Sequence, residues 1–183
     1  KRMQNEDLSI FDYVFCWLGN TNLILSIIKL IEDKMNLEHD IQEAGVQMIL
    51  LVEDSIRFYS SILPNLYNYI LEQSKNFSQE ALNRHAATMR MRGRPKVVLA
   101  RTYEEAQKLY DKYSDNTLGV ISDARFPLKS AAKAFGNEVM PEEKPKHRTD
   151  TFGREKCPDA GLQLFRYIRK NDPFVPLIIE SSE

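Results

Sequence analysis

An α/β fold built on a five-stranded parallel sheet is predicted by three observations. Five short runs of the 183-residue chain are rich in apolar residues: Tyr13–Leu18, Val46–Val52, Lys96–Ala100, Thr117–Ser122 and Val175–Ile179. Each is near-continuously apolar rather than alternating, which is how a strand reads when both of its faces are buried. Segments with helical periodicity lie between the runs, as the crossovers between parallel strands require.

The helices follow in order. Asn20 or Thr21 can cap a helix reaching about Asn36, with Leu23, Ile24, Ile27, Ile28, Ile31 and Met35 as its apolar stripe. Ser55 can cap the next, in which Ile56, Tyr59, Leu63, Leu66, Tyr67 and Ile70 share a face. Pro64 predicts a kink there, and the helical signal continues to about Arg92 before Gly93 and Pro95 stop it. Thr102-Tyr103-Glu104-Glu105 reads as a capping box ahead of Ala106, Leu109, Tyr110 and Tyr113. Asp159 to Lys170 is a short amphipathic helix ended by Asn171-Asp172-Pro173. Two segments are out of proportion. Ser55–Arg92 is more than twice a usual crossover helix, and Leu128–Pro158 is a Lys-, Glu- and Pro-rich stretch without periodicity, read as an exposed insertion.

Composition narrows the function classes. Apolar residues make up 43% of the chain, enough for one core, and the formal net charge of -1 points to neither nucleic acid nor a membrane surface. No apolar run is long enough to span a bilayer, and Lys1–Asp7 is polar with no signal-peptide core behind it. The absence of an initiator methionine suggests a piece of a longer protein. Cys16 and Cys157 lie in unlike contexts, so a reducing cytoplasm is expected rather than a disulfide. His39, His85 and His147 form no metal-ligand spacing. Arg84, Arg90, Arg92, Arg94 and Lys96 form a basic cluster without stacking aromatics, read as a solvated helix end rather than a nucleic-acid surface. Phosphate-binding loops, nucleophile elbows and the Asp-x-Asp pattern of aspartyl-phosphate phosphatases are absent.

The chemistry gathers at strand ends. Val46–Val52 runs into Glu53-Asp54, Thr117–Ser122 into Asp123, and Val175–Ile179 into Glu180, Ser181 and Ser182. In an open parallel sheet, ligands bind beyond the carboxyl ends of the strands. If these strands are neighbours, their carboxylates repel one another unless a cation sits among them, and all-oxygen ligation suits Mg²⁺. A carboxylate beside Mg²⁺ can accept a phosphoryl group, because the metal neutralises charge on the group being transferred.

These pieces resemble the response-regulator receiver family of two-component signalling. Ile49-Leu50-Leu51-Val52-Glu53-Asp54-Ser55 looks like its first strand and acidic pair, and Leu118 through Pro127 like its third strand with the acceptor aspartate. Pro158-Asp159-Ala160-Gly161-Leu162 through Lys170 resembles its third helix, and Val175–Ile179 with Ser181 its fourth strand and hydroxyl. The resemblance implies a flavodoxin-like, doubly wound sheet with a long first helix and an insertion, 128–158, after the third strand. It implies that Asp123 accepts the phosphoryl group and that Ser181 hydrogen-bonds it. Glu53, Asp54, Asp123 and the backbone carbonyl of Arg125 would hold Mg²⁺. The implied partner is a sensor histidine kinase or phosphotransfer protein, and the domain is a phosphoacceptor rather than an enzyme with turnover.

The resemblance covers about Val46 to Ser182, ending before the family's fifth strand and its lysine. Residues 46–183 are thus assigned to the receiver. Residues 1–45 are either the tail of a preceding receiver-like unit or a surrogate fifth strand and helix, and neither reading supplies the lysine. A competing expectation is a pseudo-receiver, never phosphorylated, that serves as an interaction module or dimerises through the long first helix.

Overall fold

The computed structural model describes residues 11–129, 149–150 and 154–180. Helix α1 (Asn22–Ala44) leads to strand β1 (Met48–Val52), followed by α2 (Ile56–Gln79), α3 (Arg84–Arg92) and β2 (Lys96–Ala100). Next come α4 (Tyr103–Tyr113), β3 (Thr117–Asp123), a short strand pair β4 (Phe126–Pro127) and β5 (Lys156–Cys157), α5 (Ala160–Asn171) and β6 (Leu177–Glu180). The main sheet is parallel throughout, in the order β2-β1-β3-β6.

Alternation along the strands divides the sheet between two cores. Leu50, Val52, Val98, Ala100 and Val120 pack with Ala106 and Tyr110 of α4 and with Leu164 and Ile168 of α5. Leu51, Val97 and Leu99 point to the other face, against Leu30 of α1 and Tyr59, Leu63, Tyr67 and Ile70 of α2. Helices on both faces explain why the strands read as continuous apolar runs instead of alternating ones.

Among the described residues the sheet has four strands, not five. Tyr13–Leu18 forms neither helix nor strand and joins no ladder. Its polar groups bond to α2 instead: Cys16 N–H donates to Ser60 Oγ at 3.0 Å, and the Val14 carbonyl accepts from the Tyr59 hydroxyl. Phe15 meets the edge of the Tyr59 ring, so the apolar run is a lid on a helix rather than a surrogate strand.

Helix α1 runs well past the expected end at Asn36. Gly45 terminates it in a left-handed conformation (φ 60°), its N–H bonding to Ile41 O at 2.9 Å while Val46 N–H reaches Asp40 O. The helix lies along the edge strand β2. Leu30 enters one core and Leu37 the other, so α1 straddles the sheet edge. Asp33, fully buried, completes the seal by accepting the edge N–H of Val97 at 2.9 Å. It also takes both guanidinium arms of Arg94 (2.6 and 3.1 Å) and the Tyr67 hydroxyl (3.0 Å). Lys96 pairs with Asp40 at 2.7 Å. Arg94 and Lys96 are therefore buried at the α1–β2 seam, not part of a solvated basic helix end.

The helix expected over Ser55–Arg92 is two helices. Pro64 lies within α2, which continues to Gln79. The break comes at Glu80–Asn83, where Asn83 accepts the Ala86 N–H at 2.8 Å and so starts α3 afresh. α3 folds back on α2: Arg90 donates to the Phe77 carbonyl at 2.7 Å and its guanidinium lies 4.2 Å from the Phe77 ring centre.

Candidate functional site at the carboxyl ends of the central strands

The strand order reverses at β1, whose neighbours β2 and β3 are reached by crossovers in opposite directions. A crevice opens at such a switch point, beyond the carboxyl ends of the two strands that flank it. Val52 is in register with Ser122, which brings Glu53-Asp54 beside Asp123. One carboxylate oxygen from each of Glu53, Asp54 and Asp123 lies within 4.8 Å of the others.

Backbone contacts hold Glu53 and Asp123. Glu53 N–H continues the ladder to Ala100 O at 3.0 Å, while its Oε1 accepts Ser55 N–H at 2.8 Å. Ser55 sits at the N-cap position of α2 but makes no side-chain capping bond, so the Glu53 carboxylate covers that helix end. Asp123 Oδ1 accepts the Ala124 N–H at 2.6 Å, and the Asp123 carbonyl accepts the Ser122 hydroxyl at 2.8 Å. α5 buttresses this turn, its Gly161 N–H donating to Ala124 O at 3.2 Å.

Gly161 is required by that approach, since a Cβ there would lie 2.5 Å from the Asp123 carbonyl oxygen. Gly161→Ala is expected to cost about 1–3 kcal/mol by overpacking and to weaken divalent-cation binding by displacing Asp123. Urea unfolding together with Mn²⁺ titration checks this. Unchanged stability and affinity would show that the turn yields freely.

Burial sets the electrostatics. Glu53 is pushed up to about 8 by burial, with the Asp123 and Asp54 carboxylates adding to it and the Ser55 N–H and Lys156 opposing. Asp54 is also raised, first by burial, although Lys156 opposes it. A carboxyl raised in the folded state stabilises the fold below its unfolded value and loses that contribution as the pH climbs to the folded one. Chelator-treated protein should therefore lose stability between pH 4.5 and about 8 relative to Glu53→Gln. Urea midpoints at the two ends of that window measure the difference, and parallel wild-type and variant profiles would remove Glu53 as the cause.

A cation answers the same repulsion. Asp54 Oδ2 is buried and accepts no hydrogen bond of good geometry, and the donor set is all oxygen. Those features fit a hard ion such as Mg²⁺, which Glu53, Asp54 and Asp123 would hold. Arg125 lies in the link between β3 and β4, two residues beyond Asp123, where its carbonyl was expected to serve. Ser181 lies outside the described residues. Glu180, the residue before it, pairs with Asp123 in register and is exposed.

One site residue was not foreseen. Lys156, on β5, places Nζ 2.9 Å from both Asp54 oxygens, bonding to Oδ1. It comes from the far end of the segment read as an insertion, brought to the pocket by the antiparallel pairing of Phe126 with Cys157 and Pro127 with Lys156. Nothing local marks it, because it is one of several lysines in a charged stretch and its partner is 102 residues away. Comparison of the chain with protein-family models, curated proteins and solved structures finds no match.

Proposed function

We propose that this chain is a phosphoacceptor signalling domain of the response-regulator receiver type, with a flavodoxin-like sheet, and that Asp123 accepts a phosphoryl group in a Mg²⁺-dependent reaction. The observation that carries this reading is the convergence of Glu53, Asp54 and Asp123 at the switch point of a parallel sheet. An Asp123 carboxylate oxygen would attack the phosphorus of a phosphohistidine. The P–N bond would break, the imidazole would leave with the bonding electron pair and take up a proton, and an acyl phosphate would form. Glu53, Asp54 and Asp123 would hold the Mg²⁺, which when bound would supply charge neutralisation at the phosphoryl oxygens. The donor in this reading is a sensor histidine kinase or phosphotransfer protein, and the setting is the cytoplasm. No helix among the described residues is long and apolar enough to cross a membrane.

Acetyl phosphate with Mg²⁺ provides the test. Intact mass spectrometry should show one added phosphoryl group per chain, removed by hydroxylamine and prevented by a chelator. No gain of mass in the presence of bound Mg²⁺ would sink the reading. The ion pair from Lys156 to Asp54 favours a second one, since it gives the pocket a cation of its own. In that reading the domain is a pseudo-receiver that binds partners without being phosphorylated, and it predicts no divalent-cation binding.

A further inference from the structure

Lys156 approaches the acidic pocket from outside the four-stranded sheet. Its strand is held by two residue pairs with β4 and, further out, by the bridge from Thr149 to Glu155. Phe126 anchors the β4 side, fully buried in the core under α4 and α5, and Cys157 packs partly against that core. On the β5 side the ammonium of Lys156, four-fifths buried, is tied to the pocket through the fully buried Asp54.

We propose that Lys156 is the resident counter-ion of the pocket, and that a divalent cation binding there displaces it from Asp54 and loosens the β5 arm. The proposal rests on the reading of Glu53, Asp54 and Asp123 as a divalent-cation site. Its physical basis is competition. A small dication sits about 2.0–2.1 Å from its carboxylate oxygens. Lys156 Nζ is 2.9 Å from both oxygens of Asp54, so the dication and the ammonium would lie within about 5 Å of each other whichever oxygen is used. At that separation the dication repels the ammonium and takes over the Asp54 carboxylate that holds it, against the remaining pull of the neighbouring carboxylates. Among the described residues the β4–β5 ladder is two residue pairs long, so losing the ion pair removes a large part of what ties the Lys156 end of the arm to the pocket.

The competition has two readouts apart from phosphorylation. Mn²⁺ affinity, followed by electron paramagnetic resonance, should be on the order of tenfold or more tighter in Lys156→Gln than in wild type, and close to wild type in Lys156→Arg. Cys157, next to Lys156 on the arm, reports the displacement. In a Cys16→Ser background, its alkylation by iodoacetamide should speed up with Mg²⁺ in the Lys156 protein, and should be fast without Mg²⁺ in Lys156→Gln. Equal Mn²⁺ affinities in wild type and Lys156→Gln, or alkylation indifferent to bound metal, would overturn the displacement while leaving the metal site intact. Failure of both proteins to bind Mn²⁺ would overturn it together with the phosphoacceptor reading. Should Lys156→Gln not fold, the Mg²⁺ dependence of Cys157 alkylation in the Lys156 and Lys156→Arg proteins decides the matter.

Discussion

Asp33→Ala is expected to destabilise the fold by about 3–5 kcal/mol, the range for breaking a buried ion pair by removing one partner. The Asp33 carboxylate is fully buried and serves Arg94, Tyr67 and the Val97 N–H at once. Its loss leaves the buried Arg94 guanidinium without its bidentate partner and the edge of β2 with an unsatisfied donor. Asp33→Asn should cost less, because an amide oxygen can still accept from Val97 and Tyr67. Combining Asp33→Leu with Arg94→Met should cost less than Asp33→Ala alone, since no orphaned charge then remains at the seam. Urea unfolding of the three variants gives the ranking. If Asp33→Ala lost less than about 1 kcal/mol, α1 could not be acting as the seal of the β2 edge.

Asp123→Asn should abolish phosphoryl incorporation from acetyl phosphate altogether while leaving the fold at least as stable. The amide is close to isosteric and can still accept the Ala124 N–H, so the turn against Gly161 has no reason to move. It has no carboxylate oxygen with which to form an acyl phosphate. The substitution also removes one of three mutually repelling carboxylates, which in chelator-treated protein should stabilise by up to about 2 kcal/mol. Mn²⁺ binding should weaken for the same reason. Loss of labelling coupled to a gain in stability would be the signature of a functional carboxylate, whereas a helix-capping or loop-closing aspartate would lose stability on substitution. Labelling that persisted in Asp123→Asn would place the acceptor elsewhere, with Glu53 and Asp54 as the first alternatives.

Much of the molecule was legible along the chain. Lys96–Ala100 is a strand at the predicted bounds, and Thr117–Ser122 falls one residue short of the observed β3. The N-cap half of the capping box forms as a local pattern should, with Thr102 Oγ1 accepting Glu105 N–H at 3.2 Å, while the Glu105 carboxylate accepts the N–H of Arg101, one residue earlier than the pattern predicts. Other features were misread because their signal was ambiguous. The run Tyr13–Leu18 has strand composition, yet apolarity alone does not say whether a segment joins a sheet or lies on a helix. The continuous helical pattern to Arg92 hid the competing cap at Asn83, and Gly45 was the overlooked stop for α1.

The sequence by itself determined the α/β class, the four strands of the sheet but not that a fifth apolar run stays out of it, and the carboxylates at the ends of two of them. Periodicity and strand-end chemistry are local properties, readable over a few residues. Only the tertiary structure decided what those carboxylates face and how the sheet edge is closed. Arg94 lies 61 residues from Asp33 and Lys156 lies 102 residues from Asp54. A charged side chain reads as a solvated one until the fold supplies a buried partner that offsets its lost hydration, and at these separations only the packed chain names the partner.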